Sequence, residues 1–384
     1  MTPTLDRLKI GARGTVAASR PGTEYQSHIA PWCCALPNGR WLVSYRAARD
    51  KINTLQRAMV TWSDDEGKTW REPFAPFADR KVNEKIGQFR HMQCTALGGD
   101  RLVASLWWVD ASEPHKPFFN EKTEGIFDSV LFLARSEDGG AHWSAPTQVN
   151  TAPFDKFPCP PTGPVLVLPN GDWAAQFEPN RPYDRVEKHH YMSAFTFSRD
   201  QGRTWGNAVQ PPHDPEHHIC YGDQRATILP DGTVLDFFWT FDARTGKFLS
   251  IHASASKDSG RTWRSLWDTG VAGQPGTPAA LPDGRIALIY IDRSGPPAIK
   301  LRVSDDGGQT FPEPTELVLH QPGLAAQTRD KRGIKDLWSE FQQLYSVGHA
   351  DSKLLPDGDL LVTFYSGPRT DETNIEWVRV STGG

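Results

Sequence analysis

SDDEGKTW at Ser63–Trp70 is one of five copies of a short pattern that decides the fold of this 384-residue chain. The other copies are SEDGGAHW at Ser136–Trp143, SRDQGRTW at Ser198–Trp205, SKDSGRTW at Ser256–Trp263 and SDDGGQTF at Ser304–Phe311. In each copy the aspartate can accept bonds from nearby backbone N–H groups, and the glycine tolerates positive φ, as a tight turn requires. The pattern therefore predicts turns that join neighbouring strands, with structural rather than catalytic aspartates.

A second pattern alternates with this box and consists of Leu-Pro-Asp/Asn-Gly followed by an apolar strand. Its copies begin at Leu36, Leu168, Leu229, Leu281 and Leu355, with a looser copy at Leu97. Asp-Gly and Asn-Gly between apolar runs are strong hairpin signals. The constant order of strand, LPDG turn, strand, loop, strand, box turn and strand predicts six antiparallel blades of four strands.

The last repeat has no box, so its outer strand must come from elsewhere in the chain. The segment Arg13–Ser19 is the candidate, because an N-terminal strand in the last blade would close the ring and limit exposed edges. We therefore predict an all-β fold in which residues 1–384 form a single six-bladed β-propeller domain.

The composition agrees with this fold and excludes several classes of partner. The 14 Trp, 33 Gly and 31 Pro residues favour short strands joined by turns. No apolar run approaches the roughly 20 residues that a membrane helix needs. The 42 basic and 46 acidic residues give a net charge of -4, which argues against a nucleic-acid platform. We expect neither a nucleic acid nor a membrane as a partner, and the oligomeric state stays open.

The cysteines and the N-terminal residues bear on the compartment. Five cysteines are an odd number without a CxxC spacing, so a disulfide framework is not expected. The opening MTPTLDRLKI lacks the basic and apolar segments of a secretory signal. We expect a cytoplasmic protein, or one from which a leader has been removed.

The five boxes in register with six LPDG hairpins resemble the sialidase (neuraminidase) superfamily of BNR-repeat propellers, over essentially the whole chain. The resemblance implies an arginine triad for a substrate carboxylate, a tyrosine nucleophile paired with a glutamate, and an aspartate acid/base. Counted without gaps, the positions of the first arginine, the glutamate and the tyrosine fall on His28, Asp223 and His349. The aspartate position falls on Asp50. The triad and the nucleophile are thus replaced, so we expect an activity other than that of a strict sialidase.

Candidate site residues stand at the starts of the inner strands and in the loops beyond the second strands, where the repeats converge. We predict His349 and Asp223 as the reacting pair, with Asp50 as an auxiliary acid/base. The predicted substrate-binding residues are charged groups and one aromatic, namely His28, Arg46, Arg90, His91, Glu178, Arg225 and Trp239. The His-rich stretch His213–Asp223 lacks the paired spacing of zinc ligands, so no metal and no cofactor are predicted.

Three functions fit these residues. The leading hypothesis is an exo-acting glycoside hydrolase that cleaves a terminal sugar from a glycan. In one version of this hypothesis the sugar is acidic. The second is a polysaccharide lyase in which a histidine removes the proton next to a uronate carboxylate. The third is a propeller that binds carbohydrate without turning it over.

Overall fold

Short β-strands make up nearly all the regular structure in the computed structural model, which describes residues 8–186, 192–328 and 334–383. For residues 334, 335, 337 and 338 only the backbone is described. The described helices are a 3-10 turn at Glu313–Thr315 and the helix α1 at Ile334–Gln343. Within the described ranges, no helix is long and apolar enough to cross a bilayer.

The strands follow the order of the repeats. Those of the first half are β1 Lys9–Ala17, β2 Ser27–Ala35, β3 Trp41–Ala48, β4 Gln56–Ser63, β5 Arg80–Val82, β6 Lys85–Ala96, β7 Leu102–Asp110, β8 Phe119–Asn120, β9 Gly125–Ile126, β10 Ser129–Ser136, β11 Thr147–Gln148, β12 Leu166–Val167, β13 Trp173–Phe177 and β14 Ala194–Ser198. Those of the second half are β15 Ile219–Ile228, β16 Val234–Asp242, β17 Lys247–Phe248, β18 Ser250–Ser256, β19 Trp267–Ala272, β20 Gln274–Pro275, β21 Ala279–Ala280, β22 Ile286–Asp292, β23 Ala298–Ser304, β24 Leu317–His320, β25 Val347–Leu354, β26 Leu360–Arg369 and β27 Glu372–Ser381.

The sheets form a propeller-like arrangement of small antiparallel units. The second, fourth, fifth and sixth repeats each supply at least four strands, in the orders β11-β10-β7-β6-β5, β15-β16-β18-β19, β20-β22-β23-β24 and β25-β26-β27-β1. The first and third repeats supply β2-β3-β4 and β12-β13-β14. The all-β propeller class is as predicted, but the described residues hold four complete four-stranded blades rather than six.

Proline explains the two incomplete blades. Where a fourth strand would run, each has an isolated bridge, Val60 to Phe74 in the first repeat and Phe195 to Val209 in the third. The sequences at these outer positions are REPFAPF and NAVQPP. Proline has no N–H to donate to a strand ladder, so these segments cannot extend their pairing.

The N-terminal strand closes the last blade, as predicted. β1 pairs with β27 in antiparallel fashion, from Lys9 opposite Ser381 to Ala17 opposite Ile375. The pairing begins at Lys9, ahead of the predicted segment Arg13–Ser19. A parallel pair, Ser27 with Thr373, then joins the sixth and first repeats into one seven-stranded sheet. The two ends of the ring are therefore tied together.

The hydrophobic core lies between neighbouring blades. One buried cluster combines Leu42 and Val60 of the first repeat with Leu102 and Leu106 of the second. Similar clusters join other neighbouring repeats. Packing between blades thus holds the inner strands in place around the centre of the ring.

The box turns are built as the sequence predicts. In the first box the hydroxyl of Ser63 accepts the N–H of Gly67 at 2.8 Å, and Asp65 accepts the N–H and the hydroxyl of Thr69 at 2.8 and 2.7 Å. The closing aromatic packs between blades, as where Trp263 stacks on Phe195 with ring centres 5.3 Å apart. The carboxylates of the box aspartates are therefore already hydrogen-bonded within their own turns.

These turns predict an acid-labile contribution to stability. Bonds from the Thr69 hydroxyl and N–H lower the pKa of Asp65 to about 2. A carboxyl whose folded pKa is depressed stabilises the fold above its unfolded pKa of about 3.9, and this stabilisation is lost as the pH falls through the folded value. We expect Asp65→Asn to flatten the decline in unfolding free energy between about pH 4 and pH 2, measured by urea titration. A decline as steep in Asp65→Asn as in the wild type would contradict this assignment.

Candidate active site

The inner strands enclose a cavity of about 210 Å³ at the centre of the ring. It lies at the starts of these strands, whereas the LPDG turns follow their other ends. The volume is somewhat below the roughly 300–1,000 Å³ of clefts that bury a drug-sized ligand, so the cavity suits a small molecule or the end of a chain.

Three residues on the cavity wall have a backbone conformation that L-amino acids rarely adopt. Ala30, Asp223 and His349 have φ angles of 52°, 50° and 46°. Each stands at a register shift of an inner strand, namely β2, β15 and β25. Such bulges re-aim side chains, and strained backbone of this kind clusters at functional sites. Its recurrence on three separate blades marks this end of the ring as the site.

Two acidic residues, Glu178 and Asp223, lie together on the side of the third and fourth repeats. The backbone N–H of Asp223 donates to Oε1 of Glu178. The Asp223 carboxylate is held on both oxygens, with Nη2 of Arg225 2.8 Å from Oδ1 and Nε2 of Gln274 2.6 Å from Oδ2. Glu178 extends from the loop after β13, and Asp223 from the bulge of β15. The two acids therefore share one wall but have different partners.

Their surroundings suit them to different roles. Burial, with the neighbouring charge of Asp223 second, raises the pKa of Glu178 to about 8. Glu178 is thus mostly a neutral acid at pH 7, while Asp223 faces the Arg225 guanidinium, a partner for a carboxylate. Two carboxyl groups whose environments differ in this way can divide the roles of acid and carboxylate.

A cluster of cations from the first and second repeats lines another part of the cavity, which we call the cationic wall. Arg46 and Arg90 are buried and share one neutral partner, Oε1 of Gln56, at 3.4 and 2.5 Å. Lys51 is also buried and donates to the Tyr345 carbonyl and, at 2.9 Å, to the Tyr365 hydroxyl. Within the described ranges, none of these three cations pairs with a carboxylate.

Aromatic rings support these guanidinium groups. The guanidinium carbons of Arg46 and Arg90 lie 5.0 and 4.9 Å from the Trp107 ring centre, and that of Arg90 lies 4.1 Å from Phe118. Burial lowers the pKa of Arg46 to about 10, and burial with the nearby Arg46 charge also lowers the pKa of Arg90. The cluster is therefore a site of uncompensated positive charge.

Two histidines, His91 and His349, line the same cavity. Their ring centres are 5.7 Å apart, and the His349 ring also meets Trp32 at 5.2 Å. Nε2 of His91 lies 2.8 Å from the Ala30 carbonyl, so it carries the proton, because a carbonyl can only accept. Burial and the charges of nearby arginines hold the pKa of both imidazoles well below the ordinary value. Both are neutral near pH 7.

The comparison with protein families agrees with the repeats. Residues 118–323 match the family described as a BNR repeat-like domain, which is more than half of the chain. This chain belongs to the BNR repeat-like family. No curated protein matches its sequence.

Several solved structures share the fold of this BNR repeat-like protein. A protein of unknown function from Dyadobacter fermentans is similar, with a TM-score of 0.72 and 19% identity over 98% of this chain and 99% of that one. The NanB sialidase of Streptococcus pneumoniae is similar with a TM-score of 0.64 and 14% identity, over 97% of this chain and 71% of that one. An alpha-L-arabinanase of Penicillium chrysogenum is similar with a TM-score of 0.62 and 14% identity, over 97% of this chain and 99% of that one. The BNR repeat-like chain therefore has a sialidase-like propeller fold.

Eight of the ten residues singled out in the sequence line the cavity of the BNR repeat-like protein. They are Arg46, Arg90, His91, Glu178, Asp223, Arg225, Trp239 and His349. No hydrogen bond joins His349 to Asp223 within the described ranges, because the carboxylate is occupied by Arg225 and Gln274. The two members of the predicted reacting pair thus share the site without a direct contact.

The other two residues do not line the cavity. Asp50 accepts the N–H groups of Ile52 and Asn53 at 2.9 and 2.7 Å, which makes it the cap of a loop. His28 is buried against Tyr45, with ring centres 4.9 Å apart, and its Nδ1 lies 3.3 Å from the Ala17 carbonyl. The β2 bulge after Ile29 explains the difference, since it turns Ala30, not His28, toward the centre.

The cavity is also lined by residues that were not singled out in the sequence, among them Lys51, Gln274 and Trp32. Lys51 follows Asp50 directly, so the loop that was singled out reaches the cavity through the neighbouring residue. Trp32 and Gln274 stand near the starts of inner strands, and their position was the available signal. In the described part of the chain, no group of three or more His, Cys, Asp or Glu side chains is arranged to hold a metal ion.

Proposed function

We propose that this protein is a sialidase-like glycoside hydrolase that removes a terminal acidic sugar from a glycan, by a mechanism other than that of a strict sialidase. The observation that carries the proposal is that Glu178 contacts Asp223, through the backbone N–H of Asp223, in a cavity that also has a cationic wall. Most glycoside hydrolases use a pair of carboxyl groups that flank the scissile bond.

In this proposal Glu178 protonates the leaving oxygen and Asp223 supplies the carboxylate. A general acid must still hold its proton at the working pH, and the raised pKa of Glu178 meets that condition. Asp223 is paired with Arg225 and fixed by donors on both oxygens, so it can stabilise the developing positive charge at the sugar or activate a water molecule.

The cationic wall favours a sugar with an acidic group. Burying charges without partners is costly, so the cluster of Arg46, Arg90 and Lys51 is stabilised when an anion enters the cavity. A carboxylate or sulfate has the required charge. Trp239, whose other face stacks on Phe248 with ring centres 4.7 Å apart, offers an apolar surface for the sugar ring.

A turnover screen tests the proposal. Aryl glycosides of glucuronate, sialate and matched neutral sugars are offered to the protein, and release of the aryl alcohol is followed. We expect release from an acidic glycoside and little from its neutral counterpart. Binding of acidic sugars without any release would replace the hydrolase with a carbohydrate-binding propeller.

The pH profile gives a second expectation. Because Glu178 must be protonated to act as the acid and its pKa is about 8, activity should decline as the pH rises through that value. The measurement is kcat from about pH 5 to pH 10, at substrate concentrations well above KM. A basic limb that stays unchanged in Glu178→Gln would contradict the assignment.

A uronate lyase is the second candidate, and the histidines favour it. His349 is neutral near pH 7 and stands beside the cationic wall, where an arginine can neutralise a uronate carboxylate while the base removes the adjacent proton. In the elimination, the bond from the neighbouring carbon to the glycosidic oxygen breaks, this oxygen takes up a proton and leaves as an alcohol, and an unsaturated uronate forms. This product absorbs in the ultraviolet, and hydrolysis does not form it. Absorbance growth on a uronate polysaccharide without aryl release would therefore favour the lyase.

A further inference from the structure

We propose that Arg293 is the positioning residue of this site, fixing the Gln274 amide against Asp223 and anchoring the strand that carries His349. The inference rests on the proposed function, since Asp223 and His349 are the groups that it places. Arg293 follows β22 of the fifth repeat and is not among the residues that line the cavity, so it acts through its neighbours.

The first contact of Arg293 determines how Gln274 faces Asp223. Nη1 of Arg293 donates to Oε1 of Gln274 at 2.8 Å. With its oxygen occupied, the amide presents its NH₂ group to Oδ2 of Asp223, at 2.6 Å. Arg225 holds the other carboxylate oxygen. Without the arginine, the bond to Asp223 alone holds the amide, so its position is less well fixed.

The second contact extends the same guanidinium to the sixth repeat. Nη2 of Arg293 donates to the carbonyl of Val347 at 2.8 Å, two residues before His349 on β25. The guanidinium carbon lies 4.0 Å from the centre of the Tyr345 ring. One planar fork therefore links Asp223, through Gln274, to the backbone of the His349 bulge, a task that a single ammonium group does not perform equally well.

Gly348 leaves room for the Arg293 guanidinium because it has no side chain. A Cβ added to Gly348 would lie 2.5 Å from Nη2 of Arg293 and 2.8 Å from the Tyr365 hydroxyl. Arg293 also has no carboxylate partner within the described ranges. A guanidinium that bonds one amide and one carbonyl, in a space that a side chain would fill, serves geometry rather than charge pairing.

Two variants of the full chain test the inference, Arg293→Met and Gly348→Ala, the second displacing the arginine without removing it. The substrate is whichever aryl glycoside the wild type turns over fastest. We expect kcat to fall about 10- to 100-fold in both, with KM changed less than about threefold, because misplacing a reacting group by about 1 Å costs up to about 100-fold. Arg293→Lys should restore only part of the rate.

Arg302→Met is the matched control. Arg302 lies in the same repeat, is also half-buried and pairs with Glu316 at 2.7 Å, away from the cavity. We expect it to lower the melting temperature while kcat stays within about twofold of wild type. If Arg293→Met and Arg302→Met change only stability, and to a similar extent, the positioning role is overturned.

A second measurement decides the matter if the wild type turns over no substrate. Thermal unfolding is compared for Gln274→Leu, Arg293→Met and the double variant. We expect the double variant to lose clearly less stability than the sum of the single losses, because the two side chains act as one unit. Additive losses would overturn the inference, whereas the absence of turnover alone would overturn only the proposed function.

Discussion

Glu178→Gln is expected to lower kcat on an acidic aryl glycoside by about 10²- to 10⁴-fold, the usual contribution of a general acid. Glutamine keeps the size of the side chain and can still accept the N–H of Asp223, so the bulge should survive. Only the transferable proton is lost. An aryl leaving group of low basicity needs less protonation, so the loss should shrink as the leaving group improves. The measurement is kcat across a series of aryl leaving groups.

Glu376→Gln is the control for this experiment. Glu376 is another glutamate whose pKa is raised by burial, and it bonds the Thr15 hydroxyl at 2.9 Å far from the cavity. The Glu376→Gln variant should keep the kcat of the wild type. An equal loss in both variants, or a loss in Glu178→Gln that ignores the leaving group, would show that Glu178 does not act as the acid.

Arg90→Met should weaken binding of the acidic sugar by about 30-fold or more and leave binding of the neutral counterpart nearly unchanged. The magnitude follows from the roughly 2 kcal/mol or more that is lost when one partner of a buried charge pair is removed. The same variant should melt at a temperature equal to or higher than that of the wild type when no ligand is present. The reason is that an apolar side chain replaces a buried cation without a carboxylate partner in the described part of the chain.

Calorimetric titration with glucuronate and glucose, with melting curves of the ligand-free proteins, measures both effects. Arg57→Met is the control, because Arg57 belongs to the adjacent strand but pairs with Asp79 at 2.8 Å and does not line the cavity. A loss of stability in ligand-free Arg90→Met, with equal weakening for both sugars, would show that Arg90 serves packing rather than anion binding.

The fold was predictable because its signals are local and repeated. A box such as Ser63–Trp70 closes its own turn through bonds between residues at most four positions apart, so the sequence specifies it without help from the rest of the chain. The closing strand was also predictable, since the missing box of the last repeat requires a strand from elsewhere. The incomplete first and third blades were not foreseen, although their prolines were visible in the sequence.

The site was predictable only as a region. Counting along the strands led to Asp223 and His349, which both line the cavity, and also to His28, which does not. The count assumes a regular alternation of side chains, and a bulge breaks that alternation by one residue. Lys51 rather than Asp50 lines the cavity for a similar reason, because the direction of a loop side chain depends on which backbone groups it bonds.

The sequence by itself determined the repeat, the turns, the class of fold and the set of polar residues that gather at the inner strands. Each of these rests on contacts between near neighbours in the chain. Only the tertiary structure decided that Glu178 meets Asp223, that Arg46 and Arg90 share Gln56, and that Arg293 spans two repeats. These contacts join residues from different blades or loops, and their burial, which sets the protonation of Glu178, exists only once the ring has closed.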